Sequence, residues 1–244
     1  MFSLTPYRRT RGALLGLVLL LIPVGPYAQS KPGGPHGASN PADTRAQQFK
    51  KLNVDGATAA LKGDYQTALK LQQSGLNKAK ALKDTFWTLV FTANMANVYE
   101  VQGLYDKALR MQLEALKMSE RGGNQKAIAD RLFNVGTVYT RMKQYDKALD
   151  YHGRSLKISQ KIHDTRGESS SLGNLGYVYL QLGRYDKAMN NLQQALKLHE
   201  RLGNHEDIAF DLDLIAQGYD ALKQPDKAAE NRKRAVEERA KKSK

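Results

Sequence analysis

Forty residues separate Tyr65 from Tyr105, Tyr105 from Tyr145 and Tyr145 from Tyr185, and Pro225 stands at the fifth step. The text around these positions recurs as GDYQTAL, GLYDKAL, KQYDKAL, GRYDKAM and KQPDKAA. Other columns keep the same register. Ala68, Ala108, Ala148, Ala188 and Ala228 lie three residues after the Tyr/Pro position; Gly56, Ala96, Gly136, Gly176 and Ala216 lie nine before it. Tyr99, Tyr139, Tyr179 and Tyr219 lie six before it, with Ala59 in the first repeat. A fixed period of this length marks stacked supersecondary modules, each unable to bury its apolar face alone.

Each repeat reads as two antiparallel helices. Six of the seven prolines precede residue 42, and the rest of the chain is rich in Ala, Leu, Lys and Gln, so helix is expected throughout it. Asp84, Asn124, Asp164 and Asn204 are suited to N-cap the first helix of their repeats, because a side-chain oxygen can accept an orphan backbone N–H. Gly63, Gly103 and Gly183 stand where that helix should end in a left-handed residue; Lys143 and Lys223 hold the same slot, where the turn should be less favourable. Asp106, Asp146, Asp186 and Asp226 fall in the first turn of the second helix, where negative charge complements the dipole. The Gly/Ala column of the first helix and the Ala column of the second are small enough for two backbones to approach closely.

The segments NVYEVQGLYDKAL, TVYTRMKQYDKAL and YVYLQLGRYDKAM resemble the tetratricopeptide repeat (TPR) family. The resemblance covers residues 44–240 and implies an all-α fold: a right-handed α-solenoid of five helix-turn-helix repeats, about ten helices. The repeats would be 44–83, 84–123, 124–163, 164–203 and 204–240. The common repeat of the family has about 34 residues and ends in proline. Here the period is 40, and Lys80, Glu120, Gln160 and Glu200 stand in the proline slot, as in the longer variant of Pins-type adaptors and bacterial regulators. The family binds peptides or protein segments along its first helices. Carried over, this implies a groove lined by Asn94, Asn134 and Asn174, by Asn97, Thr137, Tyr177 and Gln217, and by Arg141 and Gln181. Val54 and Leu214 replace the asparagine in the end repeats. Such amides can donate to and accept from an extended backbone, and Arg141 can take a carboxylate. The alternative is that the asparagines merely satisfy neighbouring helix backbones.

Nothing in the sequence points to an enzyme. There is no cysteine and no GxxxxGK[ST], HExxH or GxSxG motif. His152, His163, His199 and His205 share no metal-ligand spacing, so they read as solvated or structural, and neither metal nor cofactor is expected. Trp87 reads as interface packing, and the lysine columns 107/147/187/227 and 117/157/197 as a solvated outer face.

Arg8, Arg9 and Arg11 precede an apolar run from Ala13 to Val24, followed by small and turn-prone residues. The pattern is that of a secretory signal, with cleavage expected after Ala28 and after Ser30 as the alternative. The run is about 12 residues and holds Pro23, against the roughly 20 residues a spanning helix needs. Residues 29–43, with three prolines and three glycines, read as a flexible linker. The protein is therefore expected in a periplasm or outside the cell.

The formal net charge of +14 divides unevenly. Residues 1–28 carry +3, residues 29–43 none, and residues 231–244 carry +5, leaving +6 for the remaining array. Nucleic acid is not an expected partner, since the first helices carry no basic column. The basic end reads as a solubilising cap with a tail at 241–244, and alternatively as a weak contact for an anionic surface. The expected function is a non-enzymatic adaptor for a protein or peptide. The alternative is a structural homo-oligomer joined through the edge of the first repeat at Leu52 and Val54.

Overall fold

The computed structural model describes residues 41–241. The expected signal at 1–28 and the linker up to residue 40 lie outside them, as does the tail beyond Lys241. Among the described residues there are ten α-helices and no strand. They are α1 (Pro41–Leu61), α2 (Tyr65–Ala81), α3 (Thr85–Val101), α4 (Tyr105–Gly122), α5 (Gln125–Arg141), α6 (Tyr145–Lys161), α7 (Thr165–Gln181), α8 (Tyr185–Leu202), α9 (His205–Ala221) and α10 (Pro225–Lys241). Odd numbers are the first helices of their repeats and even numbers the second. Helix α1 starts three residues before the expected edge of the array. Pro41 takes its first position, where no N–H is needed, and Asp43 lies in its first turn.

The described residues form two compact bodies that divide within α4, one from 41 to 118 and one from 119 to 241.

The caps follow the sequence in three of four first helices. The side chains of Asp84, Asn124 and Asn204 accept from the backbone N–H of Trp87, Ala127 and Asp207. Asp164 is the exception. Its carboxylate makes no cap bond and instead pairs with Lys126 Nζ at 2.8 Å. The turns inside the repeats are left-handed at Gly63, Gly103, Lys143, Gly183 and Lys223, the two lysines at φ +59° and +58°. The turns between repeats use the same device at Lys83, Gly123, His163 and Gly203.

Small columns set the helix approach. All five residues of the alanine column are fully buried. In the first, third and fourth repeats the glycine of the first helix faces a large residue of the second. A Cβ at Gly56 would lie 2.6 Å from Gln72 Nε2, at Gly136 2.8 Å from His152, and at Gly176 2.5 Å from Leu192 Cγ. At Gly136 and Gly176 the neighbours are a buried ring and a branched side chain that cannot swing aside, so glycine there is a packing requirement.

In the N-terminal body, Trp87 packs between Phe49 and Phe91 at ring centroid distances of 5.5 and 5.6 Å, as expected of interface packing. In the C-terminal body, Met189, Leu192, Leu214 and Ile215 form one core and Ile208, Ala209, Leu212 and Ala235 another. The lysines at 107, 147, 187 and 227 are exposed and each stands over the ring of Tyr99, Tyr139, Tyr179 or Tyr219, 5.3–5.8 Å from its centre.

The basic last helix is tied to its own chain. Arg234 pairs with Glu200 at 3.2 Å, Arg232 with Asp220, Arg239 with Asp213, and Glu238 takes His205 at 2.7 Å and Lys241 at 2.5 Å. Its charge thus meets acids of α8, α9 and α10 itself. No helix among the described residues is long and apolar enough to cross a membrane.

Candidate functional site

Within the C-terminal body the first helices touch one another directly, α5 with α7 and α7 with α9. The second helices α6, α8 and α10 make no comparable contact among themselves. A stack that is close on one side and spread on the other curves towards the close side, so α5, α7 and α9 present the inner face of this body. Residues at spacings of three and four share a helix face. On α5 that face carries Asp130, Phe133, Asn134, Thr137 and Arg141; on α7 Ser170, Asn174, Tyr177 and Gln181; on α9 Phe210, Asp213, Gln217 and Asp220.

Asn134 is half-buried, and its amide makes no hydrogen bond among the described residues. Asn174 donates to the backbone oxygen of Ser170 at 3.0 Å, one turn back in its own helix, which leaves its side-chain oxygen to accept. The hydroxyl of Thr137 donates to the Phe133 carbonyl at 3.1 Å. Tyr177 leans on the core formed by Met189, Leu192, Leu214 and Ile215. Arg141 and Gln181 are half-buried at the ends of α5 and α7, and Gln217 is exposed.

The N-terminal body treats its two candidates differently. Asn94 is only 6% exposed and donates its amide to the side-chain oxygen of Asn53, which is itself buried. Asn97 is half-buried, and its oxygen accepts from Gln112 Nε2 at 3.0 Å. At these two positions the amides bond to other side chains of the same body and not to helix backbone.

Sequence reasoning overlooked Phe133, Ser170, Phe210 and Asp213. Helical spacing from the asparagine column would have found them, since they lie on the same faces three or four residues away. It also left the histidines undecided between solvated and structural. His152 is fully buried against Phe133 and Gly136, with its Nε2 3.4 Å from the Thr140 hydroxyl. Burial drives its pKa down to about 3, so the ring is neutral. His199 is 5% exposed and meets Asp211. No group of three or more acids and histidines suited to a metal ion occurs among the described residues.

This architecture defines a class, the all-α helical repeat proteins built from stacked helix pairs. The tetratricopeptide repeat pattern matches residues 84–161, 127–201 and 167–237, and the chain belongs to the tetratricopeptide repeat family. No curated protein matches it as a sequence relative. Solved structures share the fold at low identity. Aspartyl phosphate phosphatase F from Bacillus subtilis is 17% identical with a TM-score of 0.73, over 82% of this chain and 52% of that one. The signal transduction ATPase PH0952 from Pyrococcus horikoshii, with its tetratricopeptide repeat sensor, is 23% identical with a TM-score of 0.68, over 81% and 30%. BtubC from P. vanneervenii is 19% identical with a TM-score of 0.61, over 82% and 90%.

Proposed function

We propose that this protein is an exported, non-enzymatic scaffold that holds an extended peptide or protein segment on the face formed by α5, α7 and α9. The observation that carries the reading is the direct stacking of those three helices, which lays Asn134, Asn174 and Gln217 along one continuous surface. Amides suit a ligand whose recognisable feature is its main chain, because each can both donate and accept. Phe133 and Phe210 add apolar contact, and Arg141 adds a place for a carboxylate. A recognition role also fits the sensor named in the Pyrococcus horikoshii relative. Export rests on the signal-like N-terminus and places the adaptor in a periplasm or outside the cell.

Selection of displayed random peptides on the protein, followed by photo-crosslinking from a probe placed at Thr137 or Gln217, tests the reading. Crosslinks from both positions to one peptide support it; selected peptides that crosslink from neither position but do so from a control probe at Lys157 or Lys197 on the second helices contradict it.

Self-association through α1 is the second reading, and Val54 at 38% and Leu61 at 40% exposure favour it. Light scattering that rises with concentration in the wild type and not in Val54→Lys supports that reading. A constant monomer mass removes it.

A further inference from the structure

The joints between successive repeats occupy equivalent positions but carry different chemistry. In the N-terminal body Phe91 presses on Gly75, where a Cβ would lie 2.3 Å from its ring. Between α6 and α7, the Ser171 hydroxyl donates to Ser155 Oγ at 3.2 Å. Between α8 and α9 the equivalent position is Asp211, and its Oδ2 lies 2.7 Å from His199 Nδ1. Asp211 is 1% exposed. One turn earlier on α9, Asp207 lies 3.8 Å from the other ring nitrogen and is held by the Asn204 amide. A single histidine of α8 therefore faces two carboxylates of α9.

The surrounding charges are few. On α7, Arg166 acts on Asp207 from a distance, and Gly173 leaves the space beside Asp211, where a Cβ would lie 3.4 Å from its Oδ1. On α9, Glu206 adds negative charge next to Asp207. On α8, Glu200 is engaged by Arg234, and on α10, Glu238 is engaged by His205 and Lys241. None of these neighbours is placed to compensate Asp211 in place of His199.

We propose that His199, Asp211 and Asp207 form a proton-operated latch: a proton on His199 locks the fourth and fifth repeats together, and its loss in alkaline solution frees α9 and α10 to open. A carboxylate buried without a counter-charge is strongly disfavoured, so deprotonation of the histidine works against the closed joint. The titration follows the geometry. Burial alone would lower the His199 pKa, but its bond to Asp211 and the charges of both acids hold it above the ordinary 6.5. Burial pushes Asp211 up to about 6 against the pull of His199. Both groups hold protons more tightly in the closed joint than in the unfolded chain, and they titrate as a pair. The contribution of His199 is whole below pH 6.5 and is lost as the pH rises through its raised pKa; that of Asp211 falls as the pH rises from 3.8 through about 6. Because α9 carries Gln217, opening also removes one end of the inner face.

The latch goes beyond the peptide-binding reading and does not depend on it. Hydrogen exchange of the full chain, corrected for the pH dependence of intrinsic exchange, is measured on α9, α10 and α7 at pH 6, 7.5 and 9. Opening of α9 and α10 is expected to rise from pH 6 to 9 as the raised His199 pKa is passed, while α7 changes little. In Asp211→Asn the rise should vanish. In the milder Asp207→Asn, which leaves the His199–Asp211 pair in place, the midpoint should move to lower pH. A pH-independent α9, opening of α7 in step with α9, or an unmoved midpoint in Asp207→Asn would each overturn the latch.

Discussion

The side-chain amide of Asn94 donates to the side-chain oxygen of Asn53, 41 residues earlier, so two polar groups on the first helices of neighbouring repeats satisfy one another in a buried setting. Replacing Asn94 by Ala leaves Asn53 without that donor. The cost of an unmet buried polar group is about 1–3 kcal/mol, and chemical denaturation should register a loss of that size. Peptide affinity at the C-terminal body should not change.

His152 works in the opposite sense to His199. It is buried neutral, with a pKa of about 3 against 6.5 in the unfolded chain. Its contribution is whole above pH 6.5 and falls as the pH drops towards 3, by at most about 1.4 kcal/mol per pH unit. Leu192 fills the equivalent slot opposite Gly176, so His152→Leu has a precedent inside the same array. It also removes a buried Nδ1 that has no hydrogen-bond partner. The variant should keep its melting temperature at pH 7 and lose less stability than wild type between pH 6.5 and 4. Equal acid limbs in the two proteins would contradict the assignment.

Lys143 and Lys223 adopt left-handed backbone where three equivalent repeats use glycine. A side chain there costs about 1–2 kcal/mol, part of which is regained through glycine's larger unfolded-state entropy. Lys143→Gly and Lys223→Gly should each raise stability by about 0.5–1 kcal/mol in denaturant titrations. The same exchange at helical Lys147 should lower it.

Ala148 is fully buried, and Gly176 lies against Leu192 and the Ala188 carbonyl, where a Cβ would come within 2.5 and 3.3 Å. Ala148→Leu and Gly176→Ala should each cost about 1–3 kcal/mol by overpacking. Calorimetric melting temperatures would fall clearly. An unchanged value for either would show that the helices are not held at this separation.

The fold was legible because five repeats print the same small, aromatic and capping residues at one period, so Ala148 or Tyr139 is read through its column rather than alone. The joints were not legible for the converse reason. Positions 91, 131, 171 and 211 carry Phe, Arg, Ser and Asp, all buried, and a column without a common residue type looks like surface. The groove was half legible. Asn134 and Asn174 share a column with Asn94, yet Asn94 is turned inward by Asn53, a partner that lies in no column with it. Asp164 shows the same limit, since an acid at an N-cap position serves Lys126 instead of the helix end.

The central claim is that the face of α5, α7 and α9 holds an extended peptide through its amides. Its most direct test is isothermal titration of a selected peptide into wild type and into Asn134→Ala/Asn174→Ala, with helicity followed by circular dichroism. The account predicts an affinity loss of at least about tenfold, one hydrogen bond or more, with helicity and melting temperature close to wild type. Unchanged affinity with a large fall in melting temperature would contradict it and make these asparagines structural.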